Sequence, residues 1–123
     1  MMHPFTHHPH GERFHDTTIM IAKSICSERG YSFLDPRGLK DKSIYPGEPD
    51  VFIRVPNKKG FMDYILEIET CPSKASITKK LSQFQTNGVT ELLIIDMRLL
   101  SKKRDWYNVK LGELVSFLQE RVP

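Results

Sequence analysis

The chain has little that would place it in a membrane or in a disulfide-stapled class. No apolar run approaches the roughly 18 residues that a membrane-spanning helix takes. Cysteine is scarce: Cys26 and Cys71 are the two thiols, with no CxxC pair. The expectation is therefore buried thiols in a reducing compartment rather than a disulfide framework or a zinc ribbon. The first ten residues, Met1 to His10, hold no apolar core and no small-residue cleavage site, so a secretory signal is not expected and a cytoplasmic location is. No internal repeat occurs, and low complexity is confined to residues 1–11, a His- and Pro-rich stretch read as an arm. Charge of one sign is also lacking, since 18 Lys and Arg stand against 15 Asp and Glu.

What is present fits one domain over residues 12–123 of a 123-residue chain. The apolar fraction of 39% is modest, but its members fall in short runs, which argues for a packed core under a wet surface. Glu12 to Arg29 is predicted to be a helix, with Phe14, Thr18, Ile21, Ala22 and Ile25 along one face and Gly30 as its stop. Tyr31 to Leu34 is a short strand, 38–48 a loop, and Asp50 to Val55 a strand stopped by Pro56. Asp63 to Thr70 is its hairpin neighbour, through a connection longer than a two-residue turn. Ser73 to Gln85 is a second helix, capped by Ser73, with Ile77, Leu81 and Phe84 on its inner face and Asn87-Gly88 ending it. Glu91 to Met97 is an interior strand covered on both sides. Trp106 to Val109 is a short strand, and Leu111 to Val122 a last helix. The expected fold class is α/β: a mixed sheet flanked by helices, in αβββαβ order with an added C-terminal strand and helix.

Two acids stand out on that frame. Side chains alternate along a strand, so Glu67 and Glu69 share one face while Leu66 and Ile68 take the other. Asp50 opens the preceding strand, where a hairpin brings it beside them. Three carboxylates brought together this way repel one another unless a cation lies between them. Mg²⁺ or Mn²⁺ suits an all-oxygen set made of Asp50, Glu67 and Glu69. The competing reading makes the two glutamates the solvent face of an ordinary strand in a structural protein.

Pro49-Asp50, a hairpin, and Glu67-Ile68-Glu69 together resemble the PD-(D/E)XK nuclease superfamily, the fold of restriction endonucleases and archaeal Holliday-junction resolvases. The likeness covers most of the chain after the arm. It implies a restriction-endonuclease-like core, Asp50 and Glu67 as metal ligands, and Glu12 as a further acid at the head of the first helix. It also implies a polar residue on the second helix, for which Gln83 and Gln85 are candidates. Glu69 departs from the pattern, because most members carry lysine there; some restriction enzymes carry glutamate. Glu69 is then expected to bind metal or to take a proton from water. Lys74, at the start of the following helix, is the candidate replacement for the missing positive charge.

The implied activity is metal-dependent hydrolysis of phosphodiester bonds in DNA, duplex or branched. The small size of the domain suggests a homodimer, for which the apolar residues of the last helix are a candidate interface; the competing reading packs them onto the sheet of their own chain. Lys58, Lys59, Lys79, Lys80, Lys102, Lys103 and Arg104 are the candidate phosphate contacts. The alternative is a nuclease-fold domain without chemistry that binds nucleic acid or a protein partner.

Overall fold

The computed structural model describes residues 12–70, 74–86, 88–103 and 105–123. The expected arm at 1–11, Cys71, the Ser73 cap, Asn87 and Arg104 lie outside the described residues, as does the side chain of Glu12.

Helix α1 (Glu12–Glu28) forms because its apolar residues recur every three or four positions. Phe14, Thr18, Ala22, Ile25 and Cys26 are buried along that stripe. Its end is a Schellman turn: Gly30 takes φ +80°, its amide donates to Ser27 O and that of Tyr31 to Cys26 O. Four strands follow the order β1 (Ser32–Phe33), β2 (Val51–Asn57), β3 (Gly60–Glu69) and β4 (Thr90–Asp96), each beside the next in the sheet. The first two pairings are antiparallel, whereas β3 and β4 are parallel. A parallel neighbour needs a crossover, and α3 (Lys74–Gln83) lies between those two strands in the chain. The short α2 (Arg37–Asp41) precedes β2, and α4 (Leu111–Arg121) closes the order. The sheet is thus mixed and flanked by helices, the α/β class expected from the sequence.

The two faces of the sheet carry different loads. Val51, Ile53, Leu66, Ile68 and Ile95 join α1, α4 and Trp106 in the main core. Ile65 packs on the opposite face with Leu39, Ile44 and Tyr45, flanked by Phe52, Phe84 and Leu92. Arg29 ties α1 to the end of α4 by donating to the carbonyls of Gln119, Val122 and Pro123, which satisfies acceptors that a helix terminus leaves open. Phe14 and Trp106 stack with centroids 4.3 Å apart. Trp106→Ala is expected to cost about 3–5 kcal/mol, read as a lower urea midpoint; an unchanged midpoint would show that the stack contributes nothing.

Several expectations are corrected. Residues 106–109 form no strand: Trp106–Asn108 is one 3₁₀ turn. The Asn108 side chain donates to Asp105, and the Asp105 amide to the Ser101 hydroxyl, local bonds that compete with a strand ladder. The stretch 38–48 holds α2, begun where Asp35 accepts from the Arg37 amide behind Pro36. The β2–β3 hairpin has a tight two-residue loop, Lys58-Lys59, because Asn57 pairs with Gly60 at φ +133°. Pro56 does not stop β2 but pairs with Phe61. β1 pairs only with Ile53 and Arg54, so the outer side of β2 is open at Pro56, where a residue without an amide hydrogen is tolerated. β4 has cover on both faces, yet it is an edge strand rather than an interior one. Leu114, Phe117 and Leu118 of α4 are buried in the chain's own core, whereas Leu111 at its start is exposed.

Candidate functional site

Register builds the site. Val51 pairs with Leu66, so the next position outward sets Asp50 against Glu67. Glu67 and Glu69 share the sheet face of Ile65, the face covered by Tyr45 and Phe84. Glu67 is only 4% exposed. Asp50 is held where β2 begins: the Ile68 amide donates to its Oδ2 at 2.7 Å, and Nε2 of His15 lies 3.3 Å from the same oxygen. Gly47 lets the incoming loop lie close, since a Cβ there would stand 3.2 Å from the Tyr45 ring.

The positive charge comes from α3. Lys80 donates to Glu67 Oε2 at 3.0 Å and to Glu69 Oε1. Burial acts to lower the Lys80 pKa, but the hydrogen bonds to Glu69 and Glu67 outweigh it and raise the pKa above the usual lysine value. The ammonium therefore stays protonated. Burial pushes the Glu67 carboxyl up, and the nearby Asp50 charge adds to that, against the hydrogen bond from Lys80. Tyr45 lines the hollow beside Glu67; burial first, then the Glu67 charge, push its hydroxyl up to about 12. These groups line a hollow of about 640 Å³ together with Glu48, Thr70, Ser76, Lys79 and Gln83.

Asp50, Glu67 and Glu69 therefore meet in one hollow, as expected, but not as a free three-carboxylate set. Among the described residues, no three His, Cys, Asp or Glu side chains form a group that could hold a metal. Lys80 is the counter-ion of both Glu69 and Glu67, and the Asp50 charge still acts on Glu67, a repulsion that a cation would relieve. Two carboxylates, with waters and a substrate phosphate, are a donor set that fits Mg²⁺.

Lys74 is exposed and does not line the hollow; Lys80 is the lysine that reaches the acids. Lys79 and Gln83 line it, whereas Gln85 is exposed and donates its amide to Ile44 O. Lys58 and Lys59 sit beyond the far end of β2, about 25 Å from Asp50 across the seven residues of the strand. Lys102 and Lys103 are exposed in the connection after β4 and do not line the hollow.

Sequence reasoning missed His15 and Tyr45 and gave Lys80 only a surface role. Lys80 follows Ile77 by three residues and precedes Phe84 by four, the spacing of one helical face. That spacing was the available signal.

The His15 pKa is raised chiefly by its hydrogen bond to Asp50, against burial. A histidine raised in the folded state contributes stability that is full below the unfolded value near 6.5 and is lost as pH rises through the folded value. His15→Ala is thus expected to lie below wild type in thermal midpoint at pH 6, with the gap closing toward pH 9. A gap independent of pH would contradict the pairing.

Comparison with protein-family models, with curated proteins and with solved structures finds no match. No helix among the described residues is long and apolar enough to cross a membrane.

Proposed function

We propose that this chain is a divalent-metal-dependent deoxyribonuclease of the PD-(D/E)XK type in which the site lysine comes from α3. The observation that carries this reading is Lys80, bridging Glu67 and Glu69 inside the hollow that also holds Asp50. A lysine missing from the β3 position thereby reaches the same carboxylates from the neighbouring helix.

In this reading Asp50 and Glu67 hold Mg²⁺ or Mn²⁺. The bound ion would lower the pKa of a water and offset charge growing on the phosphoryl oxygens. Lys80, fixed by Glu69, presents a permanent positive charge to those oxygens. Being protonated, it stabilises charge and does not act as the base. His15 and the Ile68 amide fix the Asp50 carboxylate, and His15 is a positioning residue.

A second reading, a nucleic-acid-binding module without chemistry, is favoured by the lack of a three-ligand metal group among the described residues. It predicts metal-independent binding that weakens with salt. The deciding experiment treats the protein with chelator, then adds Mg²⁺ or Mn²⁺ in the presence of single-stranded, linear duplex and branched DNA. The nuclease reading expects scission only after metal is added, and none by Asp50→Ala of unchanged circular dichroism. Equal scission by both proteins would place the activity elsewhere.

A further inference from the structure

The carboxylate hollow is not isolated. A second hollow of about 590 Å³ shares Glu48 and Asp50 with it. A third, of about 560 Å³, shares Gln83. Both outer hollows thus adjoin the one that holds the acids, and each falls within the roughly 300–1,000 Å³ of small-ligand sites.

The two outer hollows differ from the centre in chemistry. The second is lined by Lys23, Ser24 and Ser27 of α1, facing Phe33 and Phe52. Phe33 is 49% exposed, so its ring is accessible from the hollow that it lines. The third carries Lys40 and Ser43. Lys23 and Lys40 are exposed, and neither has an ion-pair partner among the described residues. A lysine in each outer hollow, an acidic centre and an aromatic face in one outer hollow match a chain of phosphates that crosses the centre.

Resting on the nuclease reading, we infer that the substrate segment is an unpaired nucleic-acid strand that runs through all three hollows, with a base stacked on Phe33 and flanking phosphates at Lys23 and Lys40. An aromatic face in a hollow can stack only a base that is free of its duplex neighbours. Outer hollows that adjoin the acids at different residues also accept the interior of a strand, so scission is endonucleolytic.

The test measures binding with chelator present, so that no scission occurs, using fluorescein-labelled oligonucleotides of one sequence as single strand and as duplex. The single strand is expected to bind at least tenfold tighter. Phe33→Ala should weaken it at least fivefold, and Lys23→Glu and Lys40→Glu should each weaken it and flatten its salt dependence. Lys110→Glu, at the start of α4, is the charge-matched control and should bind as wild type. All four positions are exposed, and thermal melts check that each variant folds. Equal binding of duplex and single strand, or single-strand binding untouched by Phe33→Ala, would overturn the path. Strand binding with these dependences, but no scission under Mg²⁺ or Mn²⁺, would overturn the nuclease reading and leave the path. Metal-dependent scission unchanged in Phe33→Ala, Lys23→Glu and Lys40→Glu would do the reverse.

Discussion

Lys80→Met is expected to lower metal-dependent scission about 100- to 1,000-fold, the loss that follows removal of one charge-stabilising donor from a reacting centre. The same replacement leaves Glu67 and Glu69 facing each other without their cation. Breaking a fully buried ion pair costs about 3–5 kcal/mol. Lys80 is 28% exposed, so a smaller loss of about 2 kcal/mol is expected after discounting for solvent. Lys80→Arg keeps the charge and should retain the wild-type melting temperature while giving only part of the activity, because a guanidinium fork does not fit where an ammonium sat. A Lys80→Met protein that melts like wild type and cleaves at the wild-type rate would remove Lys80 from the centre. If Lys80→Met fails to fold, the arginine variant still reads out the role.

The αβββαβ order was legible in the sequence because each element advertises its own period. α1 repeats its apolar residues every three to four positions, and β3 alternates through Ile65, Glu67 and Glu69 against Leu66 and Ile68. That alternation also put both glutamates on one face and Asp50 at the strand entrance. α3 was less legible because its apolar residues are few. Ile77, Leu81 and Phe84 seemed to define its inner face, yet Leu81 is 55% exposed and the inward positions are Ser76, Ile77, Lys80, Gln83 and Phe84. A rotation of that size about the helix axis is what separates a surface lysine from a site lysine. His15 and Tyr45 were out of reach for another reason. They come from segments 35 and 22 residues away from Asp50 and Glu67 along the chain, and only the packed sheet brings them in. Edge position is likewise a property of the sheet: β4 is apolar because both its faces are covered, and that pattern cannot say whether a further strand lies beyond it.

Glu67→Gln is expected to separate stability from activity. Burial and the Asp50 charge raise the Glu67 carboxyl above its ordinary value. A carboxyl raised in the folded state favours folding below its unfolded value, and that contribution is lost as pH rises through the folded value. At neutral pH the wild-type charge therefore works against the fold. The neutral amide removes that cost, and a melting temperature above that of wild type is expected at pH 7. Near pH 3, where the carboxyl is protonated in both states, the difference should vanish. Scission should fall at least about 100-fold at the same time, since one of two cation-holding oxygens is gone. Such opposition is common where a fold tolerates a charge for its chemistry. A variant both less stable and fully active would contradict the account on both counts.

Manganese binding followed by electron paramagnetic resonance tests the centre without relying on turnover. Wild type should remove the free-ion signal at one Mn²⁺ per chain, and Asp50→Asn and Glu67→Gln, folded by circular dichroism, should leave it in solution. Identical titrations for all three proteins would mean that this pair of oxygens holds no cation.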